Sequence, residues 1–468
     1  MYTEDRHKRV KQTGEIFTSP AFIRRMLNNL NEDWNNPNKS KTWLDPTVGT
    51  GNFLIELAKL GIPLENLHGV DLMSDNVEKC KNRLFEIFKT DNKMQNENIK
   101  KTLDKNILQD DALTFDYSIW EPFDFLVGNP PYNGKIVKNS TLYGKIIIRA
   151  VDHLKTGGEM AMIHPGLWRL KKNNTLDLGE LYLSHTTKVL PHDVYFTRYI
   201  WNIVSDVDEI YLIKNNKSNL KIKFECVPTH GTLENNYKYN DCSKNDFIDI
   251  TQWFSKYPVP NRNFDIFKEL IRTNENDEIF PQAAKVNTGI KIKDLKKEKD
   301  SEYKYPVIQK ILKEKRFKEG LFYSKTPPKN NRPKIILSWG SLNNMLDLEG
   351  KYQALNQGNY YIYDENDDKT RLTELYDLLD DPVFKRMMIT FHGGDQKIIV
   401  DQRFKNIHLF KYFKRDAIYI WNKIKKERNL KEDYFFHKVT LIEKSGIYKK
   451  YIDIAKNGLT WAENLENR

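Results

Sequence analysis

Two hydrophobic rhythms alternate along the first 215 residues. Short apolar runs end in turn signals, and between them lie stretches with helical spacing. TWLDPTVGTGNFLIELAKL (42–60) predicts a strand, a glycine-containing turn and a helix. LHGVDL (67–72) predicts a second strand ending in an acid, with a helix following to about residue 89. Asp110-Asp111-Ala112 closes a further segment after a polar stretch. FDFLVGNPPY (123–132) is a buried strand stopped by two prolines. Residues 142–155 have helical spacing, and EMAMIHP (159–165) is a strand entered through a turn at Thr156-Gly157-Gly158. Upstream, Ser19-Pro20 opens a short amphipathic helix within 15–30: proline suits the first helical position, and Thr18 or Ser19 can cap it. Strands alternating with helices imply an α/β fold, a mostly parallel sheet covered on both faces.

Beyond about residue 215 the rhythm changes. Polar stretches rich in Asn and Lys separate shorter apolar segments. KTPPKNNRPK (325–334) predicts an extended cationic loop, PKIILSW (333–339) and YQALNQGNYYIY (352–363) predict strands, and residues 372–388 and 412–427 predict helices. This region is expected to form a separate mixed α/β module.

Composition narrows the class. The chain has 468 residues, and at roughly 150 residues per domain it is expected to hold two or three domains. Aromatic residues at 12% are too frequent for a disordered chain. No apolar run is long enough to predict a membrane span, and the polar start MYTEDRHKRVKQTGE has no secretory pattern. Cys80, Cys226 and Cys242 suggest neither a disulfide framework nor a zinc site, so a cytoplasmic location and no bound metal are expected. Charge then divides the chain. Residues 1–210 hold 27 Lys and Arg against 28 Asp and Glu, whereas the remainder holds 48 against 36. A basic half joined to a neutral half suggests that one part meets a polyanion and the other does something else.

The candidate chemistry lies in the neutral half. Asp45-Pro46-Thr47-Val48-Gly49-Thr50-Gly51 sits between a strand and a helix, where glycines admit a ligand to the backbone and the helix start offers free N–H groups. Such turns serve many nucleotides. Asp71 ends the next strand, 20 residues after Gly51, where an acid can accept both hydroxyls of a ribose or simply cap the following helix. Asp111 ends the third strand and can accept a hydrogen bond from an adenine amino group, or serve its own turn.

Asn129-Pro130-Pro131-Tyr132 is the specific signal. An exocyclic amino nitrogen on an aromatic base is a poor nucleophile because its lone pair is delocalised into the ring. Two acceptors, the Asn129 side-chain oxygen and the Pro130 carbonyl, can take both of its hydrogens and turn the lone pair toward an electrophile. They also stabilise the positive charge that develops on nitrogen, which is preorganised electrostatics rather than strong-base catalysis. The prolines stiffen the loop, and Tyr132 offers a ring for stacking.

In the order EIFTSP, DPTVGTG, GVD, DDA and NPPY, followed by a long C-terminal region, the chain resembles the S-adenosylmethionine-dependent DNA adenine-N6 methyltransferases of restriction-modification systems, in their gamma motif order. The resemblance covers residues 10–205. It implies a Rossmann-like class I methyltransferase catalytic domain over residues 1–225 and a basic DNA target-recognition domain over 226–468. It implies that Phe17, Thr18 and Pro20 flank the methionine part of the cofactor, and that Asp45, Pro46, Gly49 and Gly51 wrap its amino-acid end. Asp71 would hold the ribose, Asp111 and Ala112 the adenine ring. Asn129, Pro130, Pro131 and Tyr132 would grip the target adenine, with Asn129 also bordering the cofactor. HDVYFTRYIWNIV (192–204) resembles the segment that supplies a second stacking aromatic, Tyr195 or Phe196.

The expected partner is double-stranded DNA, with the target base rotated out of the stack, and a cognate restriction endonuclease is a candidate partner. Expected DNA contacts are Lys325, Lys329, Arg332 and Lys334 around the proline-rich loop, and Gln396, Lys397, Gln402 and Arg403 further on. Rival readings stay open: NPPY-type loops also serve methylation of RNA or of a protein glutamine, and the chain can be the methyltransferase part of a bifunctional restriction enzyme. Asp347 followed by Glu349-Gly350-Lys351 faintly resembles a nuclease triplet. A binding module without activity is a third reading.

Overall fold

A computed structural model describes residues 18–120, 122–132, 142–169, 176–192, 207–215, 221–224, 247–249, 283–311, 318–329, 331–338, 344–355, 359–384, 417–427 and 429. These fall into two compact units, one built on residues 18–249 and the other on residues 283–429.

The first unit is organised by a nine-stranded sheet. Its strands are β1 (Trp43–Asp45), β2 (Leu67–Asp71), β3 (Ile107–Gln109), β4 (Phe123–Gly128), β5 (Leu154–Pro165), β6 (Thr186–His192), β7 (Val207–Ile213), β8 (Lys221–Phe224) and β9 (Phe247–Asp249). The order is β3-β2-β1-β4-β5-β7-β6-β8-β9. β1 to β5 run parallel to one another, and β7 is antiparallel to both β5 and β6. This is the expected Rossmann-like, mostly parallel sheet. β8 and β9 extend it, β8 parallel to β6 and β9, which lies past residue 225, antiparallel to β8.

The helices are α1 (Pro20–Leu27), α2 (Asn52–Lys59), α3 (Ser74–Phe88), α4 (Lys93–Asn106), α5 (Leu142–Asp152) and α6 (Leu176–Leu183). Trp43, Phe125, Val127, Ala161 and Ile163 join one core with apolar residues of α1, α2 and α3. Leu44, Leu126, Met160 and Met162, their alternating neighbours, are buried as well. A sheet buried on both faces explains why its strands read as continuous apolar runs. Trp43 and Phe125 stack across β1 and β4 with centroids 4.0 Å apart.

Two elements depart from the expected pattern. The turn predicted at Thr156-Gly157-Gly158 lies inside β5, where the pairing with β4 shifts register between Phe123 and Phe125 and Gly157 takes a φ of 78°. The polar stretch before Asp110 contains α4, opened by Asn92, whose side chain accepts the Met94 and Gln95 N–H groups.

The second unit is mixed α/β, as expected. Strands β10 (Ala283–Lys285), β13 (Lys334–Ser338), β14 (Asn344–Asp347) and β16 (Asn359–Ile362) form one sheet, and β11 (Tyr305–Ile308), β12 (Leu321–Ser324) and β15 (Gln353–Ala354) another. Val286, Ile308, Ile311, Ile336, Ala354 and Tyr361 share a core. Helix α7 (Lys369–Asp380) starts earlier and ends earlier than expected, capped by Asp368, and α8 (Ala417–Glu427) lies against it. The strand expected over 352–363 is two short ones, β15 and β16.

Candidate active site

In an open α/β sheet, a crevice forms at the carboxyl ends of the strands where the order reverses. Here that point lies between β1 and β4, because the chain proceeds from β1 through β2 to β3 on one side and then crosses to β4 on the other. Asp45, Asp71 and Gly128 end their strands at this edge.

The glycine loop is tied to both neighbours. Thr47 donates its N–H to Asp45 Oδ1 at 3.0 Å, Val48 donates to the Val70 carbonyl at 2.8 Å, and Gly49 donates to Asp71 Oδ2 at 2.9 Å. Gly51 needs to be glycine on two counts: its φ is 88°, and an added Cβ would stand 2.6 Å from the Cys80 Sγ of α3. Arg83, also on α3, donates to the Thr50 carbonyl at 2.5 Å and to Asn52 Oδ1 at 2.9 Å, bracing the loop where α2 begins. Burial pushes the Asp45 carboxyl up to about 8. The Thr47 N–H opposes that shift, and nearby Asp71 adds to it.

Asp71 is built into this edge. Its Oδ1 accepts the Met73 N–H at 2.9 Å and Asn76 Nδ2 at 3.1 Å, and its carbonyl accepts the Asp110 N–H at 3.1 Å. Beside it, Leu72 and Met73 leave 64% and 37% of their surface open. Large apolar side chains exposed next to an acid at the carboxyl end of a strand suit a ligand that carries both a flat ring and hydroxyls. The donor set therefore fits S-adenosylmethionine. Asp111 caps its own turn, accepting the Leu113 N–H at 2.9 Å, and Ala112 beside it is buried.

The Asn129-Pro130-Pro131-Tyr132 segment leaves β4 directly beside β1. Asn129 Nδ2 donates to Thr18 Oγ1 at 3.0 Å, so the segment preceding α1 touches the prolyl loop. The Thr18 carbonyl accepts Asn52 Nδ2 at 3.1 Å. Pro20 is the first residue of α1, and Ser19 caps it. The structure thus brings Thr18, Asp45, Gly49, Gly51, Asp71 and Asn129 to one edge.

Tyr132 departs from expectation. Its ring is buried and packs edge-on against Tyr143 with centroids 6.5 Å apart. Apolar burial of the ring outweighs exposure in this arrangement, although its hydroxyl has no hydrogen-bond partner among the described residues. Tyr143 in turn stacks on His164, which bonds the Tyr182 hydroxyl at 2.6 Å.

Phe17, Tyr195 and Phe196 lie outside the described residues. The chain leaves β6 at His192 and returns at Val207, and these two are register partners. At that neck Glu209 is fully buried. It pairs with Arg25 of α1 and with His192, and accepts the Tyr211 hydroxyl at 2.6 Å. Burial alone would raise its carboxyl, but the Arg25 and His192 charges overcome that and hold it down at about 2.

In the second unit, Lys334 is a correction. Its side chain is only 1% exposed and pairs with Asp347 at 2.9 Å, so it is a core ion pair and no surface contact. Arg332 is held by Asp367 at 2.7 Å and by the Asp364 carbonyl at 2.8 Å. Lys325 and Lys329 are exposed, Lys325 paired with Glu302. Gln396, Lys397, Gln402 and Arg403 lie outside the described residues. Asp347 also accepts the Lys351 and Tyr352 N–H groups, while Glu349 reaches Lys369 at the surface. The nuclease-like triplet is therefore a capped turn. Among the described residues no cluster of three or more His, Cys, Asp or Glu side chains is arranged to hold a metal ion. No helix among them is long and apolar enough to cross a membrane.

Sequence reasoning missed Asn52, Asn76, Arg83 and the Arg25–Glu209–His192 group. Asn52 carried a weak signal, as the residue opening a helix after a glycine turn.

Residues 65–190 match the family described as Eco57I restriction-modification methylase. The chain is similar to Modification methylase CviBIII of Paramecium bursaria Chlorella virus NC1A, 30% identical over 171 residues, which is 34% of this chain and 39% of that protein. It is similar as well to Type II methyltransferase M.VspI of Vibrio sp. (strain 343), 33% identical over 97 residues, which is 21% of each. The chain thus spans well under half the length of these two relatives. Among solved structures, the methyltransferase subunit of a type I restriction-modification system from Streptococcus thermophilus is 20% identical with a TM-score of 0.35, covering 52% of each chain.

Proposed function

We propose that this protein is a DNA methyltransferase of a restriction-modification system that transfers the methyl group of S-adenosylmethionine to N6 of adenine. The observation that carries the reading is the meeting of the glycine-loop strand and the prolyl loop at the reversal of the sheet, with Asn129 bound to Thr18. The family match over residues 65–190 and the two modification methylases support it.

S-adenosylmethionine supplies a methyl group on a sulfonium, already activated for direct transfer. Asp71 would hold its ribose, with Leu72 and Met73 against the adenine ring, and Asp45 with the loop to Gly51 would hold the amino-acid end. Asn129 Oδ1 and the Pro130 carbonyl would accept both hydrogens of the target amino group and direct its lone pair. The transfer needs no covalent enzyme intermediate. A stacked base cannot enter such a site, so the adenine is rotated out of the duplex. The second unit, built on residues 283–429 within the expected span 226–468, would act as the target-recognition domain, with Lys325 and Lys329 as candidate phosphate contacts. Gln396, Lys397, Gln402 and Arg403 are kept as candidates with them. A cognate endonuclease is the natural partner of such an enzyme.

The test is incubation with labelled S-adenosylmethionine and plasmid DNA free of methylated adenine, followed by digestion to nucleosides. Label in N6-methyladenine is the expected result. Label in RNA or in a protein of an added extract, and none in DNA, would move the substrate to another class.

A further inference from the structure

We infer that Asn52 is a positioning residue that clips the segment leading into α1 onto the end of the glycine loop, so that the crevice is shaped before the methyl donor enters. The inference rests on the proposed cofactor and not on the identity of the methyl acceptor.

An asparagine amide has an accepting end and a donating end of nearly the same shape. Its orientation is fixed where its partners cannot exchange roles, and Asn52 has two such partners. Its Oδ1 accepts Arg83 Nη1 at 2.9 Å, and a guanidinium has no accepting atom. Its Nδ2 donates to the Thr18 carbonyl at 3.1 Å, and a carbonyl has no hydrogen to give. Turned over, the amide would set N–H against N–H at one end and oxygen against oxygen at the other. Arg83 is also held by the Thr50 carbonyl at 2.5 Å and by Thr50 Oγ1 at 3.3 Å, so this donor cannot simply swing away.

The clip joins parts that chain order keeps separate. Asn52 opens α2, one residue after Gly51, and Arg83 lies on α3. Thr18 precedes α1 and is only 3% exposed. Its hydroxyl meets Asn129 of the prolyl loop at 3.0 Å. One short segment therefore touches the end of the glycine loop, which follows β1, and the prolyl loop, which follows β4. The body of α1 has its own anchors, Arg24 to Glu56 at 2.6 Å and Arg25 to Glu209. Neither touches the Thr18 backbone; the Asn52 amide does. A segment ordered in advance spares the ligand the cost of ordering it. With the clip removed, the segment spends part of its time elsewhere, and donor affinity falls by the fraction lost, which a saturating donor concentration restores.

Asn52→Asp keeps an acceptor for Arg83, adds an acid where a helix start favours one, and loses the donor to Thr18. Asn52→Ala loses both contacts. An effect common to the two variants belongs to the Thr18 bond, and an effect of Asp alone belongs to its charge. Each full-length variant is compared with the wild type in the Kd for labelled S-adenosylmethionine by equilibrium dialysis, in hydrogen exchange by mass spectrometry, and in melting temperature. Both variants are expected to raise the Kd about 3- to 10-fold, the usual worth of one hydrogen bond. Exchange in residues 18–27 should quicken while residues 67–71 keep the wild-type rate, and Asn52→Asp should melt with the wild type. In single-turnover labelling of plasmid DNA, raising the donor concentration should recover most of the rate. A Kd within about twofold of wild type in either variant overturns the inference. So does a rise confined to Asn52→Asp, unchanged exchange in residues 18–27, or exchange that quickens equally in residues 67–71. If the wild type binds S-adenosylmethionine but labels no adenine, the proposed reaction falls and the same measurements still decide the clip. If the wild type does not bind it, both fall together.

Discussion

The carboxylate of Asp45 lies against the bare backbone of Gly128: a methyl group added there would stand 2.8 Å from Asp45 Oδ1 and 3.3 Å from Met162 Sδ. The acid that ends the cofactor-side strand thus occupies the space a side chain would take just before Asn129. Glycine loop and prolyl loop are packed through one carboxyl group, and that group is buried.

Burying this acid should cost stability in a pH-dependent way. The folded chain keeps the Asp45 proton up to about pH 8, whereas an unfolded chain releases it near the ordinary value of 3.8. Between those limits the folded state binds more protons, so stability falls as pH rises. Asp45→Asn removes the penalty and still accepts the Thr47 N–H. The variant should melt with the wild type near pH 4 and be more stable at pH 8, by on the order of a few kcal/mol. Thermal melts at pH 4, 6 and 8 check this; a variant less stable than wild type at pH 8 would contradict it.

Glu209 has the opposite sign. Its folded carboxyl titrates at about 2, below its ordinary value of 4.5, so its contribution is present above 4.5 and lost as pH falls through 2. Glu209→Gln should cost about 3–5 kcal/mol at neutral pH, because Arg25 and His192 lose their buried partner. The gap between variant and wild type should close in denaturation curves taken toward pH 2.

Gly51 and Cys80 should be energetically coupled. Gly51→Ala places a carbon in the left-handed region and against Cys80 Sγ, whose own thiol is held protonated by burial. The strain alone is worth about 1–2 kcal/mol. In a double-mutant cycle with Cys80→Ala, the loss should be smaller than the sum of the single losses by about 0.5 kcal/mol or more. Strict additivity would place the cost elsewhere.

Cofactor binding and transfer should separate by mutation. Asn129→Ala is expected to lower turnover by about 100-fold or more while leaving S-adenosylmethionine affinity largely intact. Asp71→Ala is expected to weaken that affinity and unsettle the loop at Gly49. Equilibrium dialysis beside single-turnover rates distinguishes the two; equal effects on both quantities would dissolve the assignment.

Lys334 should behave as a core residue. Lys334→Ala leaves Asp347 buried without its cation and should cost about 3–5 kcal/mol, whereas the neutral pair Lys334→Met with Asp347→Asn, which keeps an acceptor for the turn N–H groups, should recover much of it. DNA affinity of the double variant should match that of the wild type. A selective loss of DNA binding with unchanged stability would return Lys334 to the surface role its sequence context suggested.

Much of the site was legible because its residues carry local signals. Ser19-Pro20 announces a helix start, the glycines after Asp45 announce a tight turn, and two prolines after Asn129 announce a strand end. What was hidden depends on contacts across the chain. Asn52 and Arg83 look like ordinary polar helix residues until α3 is laid beside α2. α4 was hidden for a different reason: with Met94, Ile99 and Leu103 as its few apolar positions, it offers only a thin stripe for periodicity to detect. Lys334 misled because a lysine in a basic run reads as solvated, and only the pairing of β13 with β14 sets it opposite Asp347.

β7 has a further consequence for how the sheet assembles. Asp208 and Glu209 are consecutive, so the strand's alternation sends them to opposite faces: Asp208 to Trp168 and Arg169, Glu209 to Arg25 and His192. VDEIYLI is buried nearly throughout and offers no apolar alternation to choose an alignment. A slip of one residue would move one acid into the other's place and put Val207 or Ile210 in the place it left, stranding the cations there without their counter-charge. The ion pairs therefore act as a lock on alignment, letting the one antiparallel strand among β1 to β7 insert between β5 and β6 in a single way.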